Sequence, residues 1–169
     1  MKKKAYPYLL PAIVGAAALL CGVIVWRAEI YRVTFLNTRG ALCVVIGTGL
    51  LTIFLMSIVF AKGNLKGKPI SDYLKASLGA VLLSYPVAVF IVITTAWMLD
   101  GEQSAWSEPY RYSSGGRHSC EGAVVNEPEL KNEIRVCKPL RNYSSDNILY
   151  VEKRSNALGI VVLWAITRP

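Results

Sequence analysis

Three apolar stretches dominate the chain: residues 5–26, 40–61 and 76–99, none containing Asp, Glu, Lys, Arg or His. Each exceeds about 20 residues, the length a helix needs to cross a hydrocarbon core about 30 Å thick. Backbone groups inside lipid must bond within their own segment, so each stretch is predicted to be helical. Aromatic residues mark the edges. Tyr6, Tyr8 and Trp26 flank the first stretch, Phe60 closes the second, and Tyr73 and Trp97 bracket the third. Tyr and Trp favour the headgroup zone of a bilayer. Pro11 falls in the first turns of its helix, where it is tolerated, whereas Pro86 predicts a kink inside the third.

After residue 99 the pattern changes. Residues 104–120, with paired Ser113–Ser114 and Gly115–Gly116, read as loop. Short strands are predicted at Gly122–Val125 and Ile134–Cys137, with a turn or short helix opened by Pro128 between them. Ile148–Lys153 and Leu158–Ile166 read as an antiparallel hairpin around a polar turn at Arg154–Asn156. The nine residues of the last run are too few for a fourth crossing. Arg27–Gly40 either extends the first helix or forms a strand, since Tyr31, Val33 and Phe35 alternate with Arg32 and Thr34. The fold class expected is therefore a membrane α-helical protein: a three-transmembrane-helix bundle (residues 1–99) with a small C-terminal extracytoplasmic β-rich (α+β) domain (residues 100–169).

Composition agrees. Of 169 residues, 53% are hydrophobic and only 18% charged, against about 25% charged in a typical soluble domain. The net charge of +8 is unevenly placed. Residues 1–99 carry ten Lys and Arg against Glu29 and Asp72, while residues 100–169 carry nine of each sign. A nucleic-acid module would concentrate its basic residues on the soluble part, so that class is excluded. The basic residues report orientation instead. Lys2, Lys3, Lys4, Lys62, Lys66, Lys68 and Lys75 make seven on one side; Arg27, Arg32 and Arg39 make three on the other. That bias puts the N-terminus in the cytoplasm and the tail outside it, as in a bacterial inner-membrane protein with a periplasmic domain. The first span is longer than a signal-peptide core and no small-x-small cleavage site follows it, so it is read as permanent.

In an oxidising compartment Cys120 and Cys137 are expected to form a disulfide. Cys21 and Cys43 read as free, small apolar residues. Helices in lipid associate through small residues, and Ala76, Ala80, Ser84, Ala88 and Ala96 form one ridge of the third helix. That ridge serves packing within the chain, or an oligomer face.

Candidate chemistry is sparse. His118 is the sole histidine and sits in a Ser/Gly-rich stretch. Glu127, Glu129 and Glu133 interleave with Lys131 and Arg135, the pattern of a solvated charged face. No Walker A loop, HExxH or GxSxG occurs, and no cofactor or metal is implied. Spans without ionisable groups disfavour a pump, transporter or channel. What remains is binding, with Trp106, Tyr110, Tyr112 and Arg117 as candidate partner contacts; Trp106 serves equally as an interfacial anchor. Asn142–Tyr143–Ser144 has the form of a glycosylation sequon. The expectation is a non-enzymatic membrane protein whose tail binds an envelope protein or toxin, as an immunity protein or as an accessory subunit of an envelope or secretion assembly.

Overall fold

The computed structural model describes residues 9–63, 67, 69–116 and 119–169. Arg117, His118, Tyr6, Tyr8 and the basic residues Lys2–Lys4, Lys66 and Lys68 lie outside the described residues. Three helices are long and apolar enough to cross a membrane: α1 (Leu9–Trp26), α2 (Thr38–Ala61) and α3 (Ile70–Met98). Asn37 starts α2 by accepting the Gly40 N–H at 2.9 Å on its side-chain oxygen, which satisfies one of the orphan donors of a helix start. The helix α3 begins at Ile70, ahead of the uncharged stretch, taking in Asp72 and Lys75, and runs through Pro86 to Met98.

The helices do not pack as an even bundle. The pair α2 and α3 are joined by a short connection and pack against each other, burying Ala80, Ser84, Ala88, Ile93 and Ala96. Ala76, at the start of the same ridge, is half-buried. Small side chains permit the close approach, and the ridge is spent within the chain. By contrast, every residue of α1 from Pro11 to Val25 is exposed. It is held at one end: the Trp26 indole donates to the Thr94 hydroxyl at 2.9 Å and its ring lies 4.8 Å from Phe90. Cys21 and Cys43 are free and exposed.

Residues 27–40 take both predicted forms in succession. Arg27–Tyr31 continue α1 as a wider π-helical turn, and Thr34–Leu36 form strand β1. The C-terminal part supplies β2 (Glu102–Pro109), β3 (Arg111–Ser113), β4 (Gly122–Glu127), β5 (Asn132–Cys137), β6 (Ile148–Asn156) and β7 (Gly159–Arg168). They form two antiparallel sheets, ordered β1-β7-β6-β2 and β3-β4-β5. Inward-facing Ala123, Val125, Ile134 and Val136 from the smaller sheet meet Leu149, Val151, Ile160, Val162 and Ala165 from the larger one. This is the alternation of a sandwich core.

Two expectations change. Residues 102–113, read largely as loop, are strands. β2 lies at a sheet edge, pairing only with β6, and half-buries Ser104 and Trp106 between exposed neighbours. Edge placement also tolerates Pro109. The polar turn expected at 154–156 instead continues β6, and the chain reverses at Ala157–Leu158. Cys120 and Cys137 are bonded, with Cα atoms 5.6 Å apart. Such a closure contributes about 3 kcal/mol in the chain-entropy estimate.

The tip of the β6–β7 hairpin is seated on the ends of α2 and α3. Asn37 donates its backbone N–H to Leu158 O at 3.0 Å and its side-chain amide to Ala157 O at 3.1 Å. Asn156 donates to Ala96 O at 2.7 Å, and Arg154 donates to Trp97 O. The approach is too close for side chains. A Cβ on Gly40 would lie 2.2 Å from Leu158 O, and one on Gly159 would lie 2.1 Å from Phe35 O. Gly40→Ala is therefore expected to lower unfolding stability by about 1–3 kcal/mol through overpacking. Gly49→Ala, with nothing within 4 Å of its added methyl, should stay within about 1 kcal/mol of the parent. Denaturant unfolding of both variants in detergent distinguishes them; equal stabilities would contradict the seating.

Candidate functional site

Three surfaces of the sandwich bring chemically active side chains together. The first lies inside it. β6 turns Leu149, Val151 and Lys153 inward in succession, so a lysine stands where the pattern calls for an aliphatic residue. Its ammonium pairs with Glu127, which is fully buried, and with half-exposed Glu129. It also lies 5.1 Å from the Trp106 ring centroid. Glu127 accepts the Leu130 N–H at 2.6 Å, and Ser155 donates to Glu129 at 2.7 Å. Burial raises the Glu129 carboxyl pKa, but hydrogen bonds from Lys153 and Ser155, with the charge of Lys153, outweigh burial and hold it below its ordinary 4.5. Thus Glu127 and Glu129 are not a solvated charged face. They clamp the β4–β5 turn onto β6. Trp106 belongs to this arrangement: it packs against the core and its half-buried ring lies beside Lys153.

The second surface holds two of the four predicted partner contacts. The Tyr110 hydroxyl donates to Tyr143 O at 2.9 Å, and the Tyr112 ring stacks on Tyr143 with centroids 6.3 Å apart. Tyr112 donates to Glu121 at 2.8 Å. Burial, then the charge of Asp146, raise the Tyr110 pKa against a lowering hydrogen bond to Thr167. The hydrogen bond to Glu121 chiefly raises that of Tyr112. Both phenols therefore remain neutral donors in neutral solution. Tyr143 was visible only as the middle of a sequon. Asn142 beside it is exposed in a turn and accepts from Ser144 at 2.9 Å.

The third surface was not anticipated. On the outer face of the larger sheet, Tyr150 and Trp164 meet across β6 and β7 with ring centroids 5.5 Å apart. Arg168 lies 5.2 Å from the Tyr150 ring centroid, and the Trp164 indole donates to Glu152. Leu163 and Trp164 are exposed despite belonging to a continuous apolar run. A register shift at Glu152/Lys153 places them. One extra residue in β7 turns two successive bulky side chains away from the core. A cavity of about 460 Å³ adjoins this face, lined in part by Leu140, Leu163 and Trp164.

A larger cleft, about 740 Å³, opens between the end of α1 and the disulfide edge of the smaller sheet. Ile24, Arg27, Ala28, Tyr31 and Arg32 line it from one side and Cys120, Arg135 and Cys137 from the other. Among the described residues, no group of three or more His, Cys, Asp or Glu is placed to hold a metal ion. No protein-family model matches the chain, and comparison with curated proteins and with solved structures found no significant similarity.

The buried pair makes two predictions. Lys153→Met strands a carboxylate in the core and should cost about 3–5 kcal/mol, most of it recovered by adding Glu127→Gln; equilibrium unfolding of the single and double variants measures this. Glu129 has a depressed folded pKa, so its contribution is intact above the ordinary carboxylate range and is lost as pH falls through the lowered value. Glu129→Gln should therefore flatten the fall in thermal midpoint between about pH 5 and pH 3, read by calorimetry.

Proposed function

We propose that the chain is a non-enzymatic integral membrane protein that binds a protein partner through the outer face of its larger sheet. In this reading the three helices cross a bacterial inner membrane, the N-terminus is cytoplasmic and the sandwich is periplasmic. The observation that carries it is the Tyr150–Trp164–Arg168 cluster on paired strands, with Trp164 and Arg168 exposed and Tyr150 half-buried beneath them. Tyr, Trp and Arg are the residues that most often dominate binding energy at interfaces. Here they stand on paired strands, so little conformational freedom is lost on docking. The helices contribute by confining the face to the membrane surface, which raises its effective concentration toward a partner that acts there. The disulfide supports an oxidising compartment for the sandwich. The partner fitting these requirements best is a toxin acting at the membrane or in the periplasm, with the chain as its immunity protein.

Expression of the chain should restore growth to cells carrying the toxin encoded beside its gene. Trp164→Ala should weaken binding to that toxin about tenfold or more, and Tyr112→Ala should weaken it less. Stable copurification with a secretion complex, without protection, would replace the immunity reading with that of an accessory subunit. Sidedness has its own test. A reporter active only in the periplasm, fused after Pro169, should be active, and one active only in the cytoplasm should be silent; the reverse overturns the orientation. Thiol labelling should find Cys120 and Cys137 blocked until reduction, and free thiols at both positions would remove the support from compartment.

A further inference from the structure

The cleft at the end of α1 has a composition that the partner-binding face does not use. The residues that α1, its π-helical turn and the residue capping that turn contribute are Ile24, Arg27, Ala28, Tyr31 and Arg32. Their spacing of three and four is that of a single helix face. Glu29, the one acid of this segment, falls off that face and does not line the cleft. Opposite stands Arg135, which is half-buried and donates one guanidinium nitrogen to Cys120 O at 3.3 Å. The Cys120–Cys137 bond ties that carbonyl to the end of Arg135's own strand.

Three arginines thus line one cleft that no acidic residue lines. Among the described residues, none of the three has a carboxylate partner. Glu133, the neighbouring acid on β5, is engaged by Arg111 at 3.7 Å. Like charges repel, and no acidic residue of the lining offsets them. The other half of the cleft is apolar, through Ile24, Ala28 and Phe35. Below it the side of α1 is uncovered, with nothing within 4 Å of a methyl placed on Gly22.

We propose that this cleft binds the headgroup of an anionic phospholipid. The phosphate is held by Arg27, Arg32 and Arg135, and the acyl chain runs past Ile24 down the open side of α1. Guanidinium forks match phosphate oxygens in geometry as well as charge. The gradient from cationic to apolar along a single helix face fits an amphiphile lying with its tail toward the hydrocarbon. The π-helical turn sets the phase of that face, and such turns recur at functional sites. This proposal rests on the reading that the helices cross a bilayer.

The test uses the full chain in nanodiscs of phosphatidylcholine containing a minority of phosphatidylglycerol, with retained lipid counted by native mass spectrometry. Phosphatidylglycerol should be retained preferentially. The double variant Arg32→Gln, Arg135→Gln should lower that preference about tenfold, as expected for loss of charge-assisted hydrogen bonds. Arg39→Gln removes a charge from the nearby first turn of α2 without touching the cleft and should leave the preference unchanged. A disulfide intact on a nonreducing gel verifies that each variant is folded. Equal retention of the two lipids, or equal losses in the Arg39 and double variants, overturns the proposal. Inorganic phosphate that binds the chain in detergent as tightly as phosphatidylglycerol does overturns the lipid in favour of a soluble anion. A chain that leaves membranes in an alkaline wash overturns the bilayer reading itself, a result distinct from insertion without lipid preference.

Discussion

The structure depends on how the tip of one hairpin meets the ends of two helices. A helix leaves its first N–H groups and last C=O groups unpaired, and those groups must find partners elsewhere. Here Asn156 and Arg154 supply donors to the final carbonyls of α3, while Asn37 caps α2 with one atom and grips the hairpin with two others. Asn156 also accepts from Leu158 and Gly159, at 3.0 and 3.1 Å, so it shapes the turn that it anchors. The tip of the hairpin is therefore held against the helices by directional bonds. Glycine at position 40 permits that approach, and glycine at 159 permits the close pairing of β7 with β1.

Within the sandwich a second set of polar bonds performs a comparable task. The lysine on β6 holds the turn between β4 and β5, which belongs to the opposite sheet. A buried ion pair adds little net stability compared with well-packed hydrocarbon, but it discriminates strongly against any register in which one partner is left alone. The indole of Trp106 completes the site from the edge strand. One sheet is thus fixed to the other at its polar end, and the aliphatic core and disulfide hold the remainder.

The helices were legible because about twenty uncharged residues in a row admit few alternatives, and the small-residue ridge of α3 followed from a spacing of four. The hairpin β6–β7 was also legible from its apolar runs. Other features depend on what lies opposite, which local pattern does not encode. Ser104 and Trp106 look like loop residues until β6 is placed beside them. Glu127 looks solvated until a lysine 26 residues later is turned toward it. The exposure of Trp164 follows from one extra residue in β7, invisible in a run that is apolar throughout. The separation of α1 from the other two helices has the same origin, since its small residues resemble those of α3 and only the structure shows which set is covered. Of the cleft, Arg27 and Arg32 were visible only as charges that report orientation, and Arg135 required the tertiary fold.

The larger sheet draws its edge strand β1 from the segment between the first two helices and pairs it with β7, whose register runs from Thr34 opposite Val161 to Leu36 opposite Gly159. The segment made early must therefore wait for β7, which follows it by more than about 120 residues, to be synthesised. Until then the earlier strand has no neighbour, and the sandwich has no seat on the helices. Translation is thereby tied to one closing event. A ribosome that stalls before β7, or a protease that removes it, releases a product whose larger sheet is never completed.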